Sequence, residues 1–227
     1  LPFHMSANAE AYIKDFTQLE NINRNKIYED NQANATKPDS LTKDFIIEAG
    51  LAKGADLTLK YEHKGLYVWL VYSLTFVTRT DENQTYAPNF DRRHNINFVA
   101  SYKFGHKKQW QVNSRWNFGS PFPFSQPSGY FESFQFSNGL STNVNSQNGN
   151  VAIYYTDLNK GRLSYYHRLD ISVQRTFIFN KNTSLEVTAG ATNVYDRKNI
   201  FYVRKFNTND RVYQLPIIPT IGASLIF

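Results

Sequence analysis

Between His94 and Phe118 the sequence alternates apolar and polar residues one by one, and that period limits what the segment can become. His94, Ile96, Phe98, Ala100, Tyr102 and Phe104 fall on one side of an extended chain. Asn95, Asn97, Ser101 and Lys103 fall on the other, with Val99 as the exception. After the compact turn Gly105-His106-Lys107-Lys108 the code repeats, with Trp110, Val112, Ser114, Trp116 and Phe118 against Gln109, Gln111, Asn113, Arg115 and Asn117. A helix would spread these residues around its circumference, whereas a strand sorts them onto two faces. Amides and an arginine along a whole face suit a wet surface better than a packed core, where each would need a partner.

The same period recurs along the chain. Ala7, Ala9, Ala11 and Ile13 alternate with Ser6, Asn8, Glu10 and Tyr12 in a strand expected from Phe3 to about Thr17. Leu57, Leu59 and Tyr61 alternate with Asp56, Thr58 and Lys60 in a strand from about Asp44 to Glu62. Leu66 to Thr80 is apolar on both faces, because Tyr67, Trp69 and Val71 join the second one, and so fits a buried soluble strand equally well. Alternation returns from about Ser164 to Phe179, broken by Arg175. It continues from Leu185 through Asp196-Arg197-Lys198-Asn199 towards Phe206, and closes after Asn207-Thr208-Asn209-Asp210. For Arg175 the expectation is that its head reaches the near rim or that a bulge shifts the local parity.

About eight strands result, and their connections differ in kind. The links at 63–65, 105–108 and 180–183 are short, while those at 18–43, 81–90 and 119–163 are long or polar. Counting back from Phe227 puts every short link at one end of the sheet and every long one at the other, as in barrels with short periplasmic turns and long outer loops. A soluble sandwich gives no reason for such segregation. The aromatics bunch at strand ends, with Phe104, Trp110, Phe177, Phe179 and Phe227 near short turns and Trp116, Phe118, Tyr165 and Tyr195 near long loops. Those are the positions of interfacial girdles.

Composition agrees with a strand-built membrane wall. Aromatics reach 16% although the mean hydropathy is only -0.52. No run of eighteen or more apolar residues is present, so a helical span is excluded, but a barrel wall needs only every second residue to be apolar. The chain has no cysteine and hence no disulfide or thiolate metal site. Its net charge of +6 comes from dispersed Lys and Arg without a basic helix, which argues against nucleic acid. The chain opens on Leu1 with no signal-peptide pattern, so it is expected to be the later part of something longer.

The last eight residues, Thr220 to Phe227, end on an aromatic within an alternating segment. This pattern of Gly222, Leu225 and Phe227 resembles the C-terminal signal by which outer-membrane β-barrels are recognised for insertion; an edge strand of a soluble sandwich is the alternative. Longer stretches resemble one family, the TonB-dependent receptors. They are Ala52-Lys53-Gly54-Ala55-Asp56, Asp91-Arg92-Arg93-His94-Asn95, Trp116-Asn117-Phe118-Gly119-Ser120-Pro121-Phe122, His167-Arg168-Leu169-Asp170-Ile171-Ser172-Val173 and Ala191-Thr192-Asn193-Val194-Tyr195-Asp196-Arg197-Lys198-Asn199. The resemblance implies an all-β, antiparallel transmembrane β-barrel, with residues 1–227 supplying about eight C-terminal strands of a barrel of about 22 strands in the outer membrane. The plug domain and the TonB-contacting box lie outside these residues, so the implied transport, capture of a solute at the cell surface and TonB-driven import, belongs to the parent protein. The implied partners are outer-membrane lipid, the plug, TonB, the barrel-assembly machinery, a small solute and a surface lipoprotein. No cofactor is implied.

On this reading Arg92, Arg93, Asn113, Arg115, Asn117 and Arg168 face the lumen, where they meet an anionic or polar solute or else bind plug, neighbouring strands or water. The loop aromatics Phe122, Phe124, Tyr130, Phe131, Phe134 and Phe136 stack on a ligand, cover a partner, or bury one another. His4, His63, His94, His106 and His167 lack metal-ligand spacing. Asp91 with His94, and His167 with Asp170, are i,i+3 pairs that a strand points to opposite faces, so no catalysis is expected. A complete eight-stranded barrel acting as anchor, a barrel subunit acting as scaffold, and a soluble β-sandwich remain as alternatives.

Overall fold

The alternating segments form long strands laid side by side in a single layer. The computed structural model describes residues 4–23, 44–133, 150–155, 157–180, 182–204 and 210–227. In chain order the strands are β1 (Met5–Ile22), β2 (Phe45–His63), β3 (Leu66–Thr80), β4 (Thr85–Tyr86), β5 (His94–Phe104), β6 (Trp110–Gly119), β7 (Pro123–Phe124), β8 (Gly129–Ser133), β9 (Asn150–Tyr154), β10 (Gly161–Arg162), β11 (Tyr166–Ile178), β12 (Ser184–Thr192), β13 (Ile200–Val203), β14 (Arg211–Tyr213) and β15 (Ile218–Ile226). Eight make the wall, in the order β1-β2-β3-β5-β6-β11-β12-β15, with β4 added to the end of β3. All their pairings are antiparallel. The remaining strands pair in twos within the connections: β7 with β10, β8 with β9, and β13 with β14.

The register carries the alternation across the whole wall. Phe98 stands opposite Leu70 and Trp116, and Asn97 opposite Val71 and Asn117. Further along, Ile171 stands opposite Ser114 and Ala191, and Ser172 opposite Asn113 and Gly190. One face is therefore mostly apolar and the other mostly polar. Among the described residues no second layer covers either face, and Tyr86 is the only buried hydrophobic residue. A soluble sandwich would bury its inner face against another sheet about 10 Å away, so that alternative fails. Backbone ladders and cross-strand side-chain pairs hold this sheet together.

Three tight turns join the wall strands at one end. Lys64 and Gly65 both have positive φ, 46° and 92°, which makes a two-residue turn whose twist matches the hairpin. A Cβ on Gly65 would lie 2.9 Å from the Lys103 carbonyl oxygen, so the close approach also requires glycine. The strand ends that lead into and out of the long links 23–44, 81–93, 120–165 and 193–217 all lie at the opposite end.

Two expected strand bounds change, and one alternative is excluded. The first strand runs to Ile22 rather than Thr17, because a bulge between Phe16 and Leu19 resets parity and returns Asn21 to the face of Glu48, which hides the continuation from a period-two reading. The link at 119–163 contains two strand pairs. The strand expected to run on to Phe206 stops at Thr192, and residues 200–203 fold back on 211–213 as a separate hairpin. Finally, β1 and β15 each have one neighbour, so these strands form an open wall and not a closed eight-stranded barrel.

Candidate functional site

The polar face satisfies most of its own groups. Gln111 donates to Ser101 Oγ at 3.0 Å and to Asn113 Oδ1 at 2.6 Å, Asn113 donates to Ser172 Oγ at 3.3 Å, and Asn117 donates to Asn97. Arg168 pairs with Asp170 at 2.9 Å. Arg115 stands between Val99 and Asp170 in the register, exposed, with no hydrogen bond or ion pair to any described residue.

Where this face reaches the long links, buried polar clusters fasten the link bases to the strand ends. Glu48, with no exposed side-chain surface, accepts hydrogen bonds from Asn21, from the Tyr86 hydroxyl at 2.9 Å and from Arg79 at 3.3 Å. Asp91 accepts from Arg162 at 3.0 Å and from the Val77 amide at 3.3 Å. Buried Asn193 donates to the Arg197 and Leu215 carbonyls, and its own amide donates to Asp170 Oδ1. Each cluster joins residues far apart in sequence, and each carboxylate has partners that compensate its burial.

Arg92 makes a fourth fastening by packing. Its guanidinium lies 4.0 Å from the Phe122 ring centroid and 5.3 Å from that of Tyr166, flat on Gly119. A Cβ at residue 119 would meet the guanidinium nitrogens and carbon at 2.4 to 2.6 Å, so the glycine is a condition of this stack. Burial pushes the Arg92 guanidinium below its ordinary value, and Tyr166 partly offsets the shift.

The six residues expected at the lumen thus divide. Asn113 and Asn117 belong to the amide ladder, Arg168 to an ion pair and Arg92 to the aromatic stack, leaving Arg115 open. The Arg93 guanidinium lies 5.3 Å from the ring of Phe76, a residue of the apolar face, and its Nε lies 3.8 Å from Asp91. Arg93 precedes β5, where strand parity does not yet govern direction. The loop aromatics divide too. Phe122 lies under Arg92 and the Phe124 ring packs on Gly161, whereas Tyr130 and Phe131 are exposed on β8. Phe134 and Phe136 lie outside the described residues.

A second exposed aromatic hairpin, carrying Phe201, Tyr202 and Tyr213, was hidden by reading its first strand as part of β12. The turn-forming sequences at 196–199 and 207–210, bracketing a short β-branched and aromatic run, are the signal for it. At the C-terminus, Gly222 faces open space on the polar side, while Leu225 and Phe227 are exposed. His94 bonds the Tyr72 hydroxyl at 2.9 Å and His167 that of Tyr195 at 2.8 Å, so neither is joined to the aspartate three residues away.

The apolar face is banded. At the turn end Tyr102, Phe104 and Trp110 stack in series, and at the link end Trp116, Phe118 and Tyr165 do the same. Leu70, Phe98, Val112 and Ile171 fill the middle. Arg175 keeps the parity of this face without a bulge and lies 4.8 Å from Trp110 and 4.5 Å from Phe177, beside the tight turn. Of the two expectations for this residue, the parity-shifting bulge is absent.

No family model and no curated protein matches the chain. Among solved structures, the ferripyoverdine receptor of the outer membrane of Pseudomonas aeruginosa, bound to ferripyoverdine, aligns with 97% of this chain and 24% of its own, at 10% identity and a TM-score of 0.59. P. aeruginosa FpvA bound to heterologous pyoverdines aligns with 97% of this chain and 24% of its own, at 12% identity and a TM-score of 0.61. FpvAI in complex with pyocin S2 aligns with 97% and 25%, at 12% identity and 0.59. At such identities the likeness is one of fold: the wall has the architecture of an outer-membrane receptor barrel. The chain spans about a quarter of the length of these receptors.

Proposed function

We propose that the chain is the C-terminal part of the barrel of a TonB-dependent outer-membrane receptor, with its apolar face in lipid and its polar face lining the lumen. The observation that carries this reading is the single-layer sheet with two unlike faces, tight turns at one end and long links at the other. Depth supports it. From Lys53 to His63 on the apolar face is ten residues. That is about 33 Å of strand and, with a tilt of about 40°, about 25 Å of height, the apolar band of such barrels. The long links then face outwards. Arg115 and the exposed aromatics Tyr130, Phe131, Phe201, Tyr202 and Tyr213 are the groups available to a solute or a partner lipoprotein. The receptor captures that solute at the cell surface, and the TonB system drives its import past the plug.

The absence of cysteine offers a direct test of orientation. On intact cells a membrane-impermeant maleimide should label Tyr130→Cys in a long link and leave His106→Cys in a tight turn unlabelled until the outer membrane is opened. Equal labelling of both on intact cells refutes the placement. The import step is tested by accumulation of labelled ferric siderophores, vitamins, glycans and peptides with and without a proton-motive-force uncoupler. Uptake that ignores the uncoupler refutes TonB-driven transport.

A further inference from the structure

Between the two aromatic bands no wall strand carries a charge on the apolar face. Towards the link end, however, two cations flank one ring. Lys53 on β2 stands directly opposite Phe76 on β3, exposed and without an ion pair among the described residues. From the other side of β3, Arg93 accepts the Thr75 amide with its carbonyl at 2.9 Å and lays its guanidinium 5.3 Å from the Phe76 centroid, with its side chain 52% exposed. Two strand spacings separate their backbones by about 10 Å, a gap that two long side chains close around one tetrahedral anion.

We infer that Lys53 and Arg93 clamp the phosphate of an anionic lipid headgroup, with Phe76 beneath it against the first carbons of the lipid. The inference rests on the membrane placement proposed above. Two carboxylates stand near. Asp15 is one pair further along the same face, opposite Leu51. Asp91 is 3.8 Å from Arg93 Nε, but its oxygens also accept from Arg162 and the Val77 amide, and about half of the Arg93 side chain stays exposed. Arginine supplies a fork matched to phosphate and lysine a mobile point charge. The acyl chains continue down the aliphatic middle of the face, where a free phosphate would gain nothing.

The intact protein, extracted in mild detergent, is titrated with phosphatidic acid and with phosphatidylcholine, and bound lipid is counted by native mass spectrometry. Phosphatidic acid should bind saturably and in preference to phosphatidylcholine. Lys53→Gln with Arg93→Gln should weaken it about tenfold or more, while Lys103→Gln on the polar face should not. Equal retention by the double variant and the parent overturns the clamp while leaving the membrane reading intact. Displacement of the lipid by equimolar inorganic phosphate shows a free-anion site and overturns the lipid assignment. A protein that stays monodisperse without detergent overturns the membrane reading itself.

Discussion

Replacing Ile171 by arginine tests the two-faced wall where it is least forgiving. Ile171 lies on the apolar face opposite Ser114 and Ala191, four residues from Arg175 and four from His167. Each rim is therefore about 13 Å away along the strand, beyond what a side chain can snorkel. An arginine at mid-depth costs about 2 to 4 kcal/mol and near an interface about 0 to 1. The neighbouring Ser172→Arg enters the polar face and loses one hydrogen bond, from Asn113 at 3.3 Å, at about 0.5 to 1.5 kcal/mol. In phosphatidylcholine vesicles, denaturant titrations followed by gel mobility and tryptophan fluorescence should show Ile171→Arg destabilised by roughly 30-fold to 700-fold in the folded ratio. Ser172→Arg should lose far less. Equal costs, or the larger cost at Ser172, would refute the assignment of oil to one face and water to the other.

Gly119→Ala should expel Arg92 from its place between Phe122 and Tyr166, costing about 1 to 3 kcal/mol in thermal unfolding, and Arg92→Ala in the same chain should recover much of the loss. Gly222→Ala, with nothing within 4 Å of the new methyl, should change the midpoint by less than about 0.5 kcal/mol, and a large shift there would reveal a partner at that edge. Asp91→Ala leaves Arg162 without its carboxylate, so protease cleavage within 120–165 should speed up while the wall strands stay protected in hydrogen exchange. The Tyr195 phenol is pushed up, chiefly by burial. Folding then favours its protonated form, so its contribution to stability is complete below the ordinary tyrosine range and is lost as pH rises through the raised value. A tyrosinate titration should show a late component that Tyr195→Phe removes.

The faces and the ends were legible in the residues themselves. Parity is local geometry: once His94 to Phe104 is extended, Phe98 and Asn97 must point apart whatever surrounds them, and Lys64-Gly65 must turn because its glycine accepts a positive φ. Tertiary structure decided what parity does not reach. The bulge after Phe16 rephases the end of β1, Arg93 takes its direction from the link before β5, and Glu48 finds Tyr86 and Arg79 through contacts between residues distant in sequence. It also decided that the sheet stays one layer. The alternation in Val112 and Ile171 says that one face is apolar, but only the pairing of the strands shows that, among the described residues, this face lies in a single sheet with no second one packed on it.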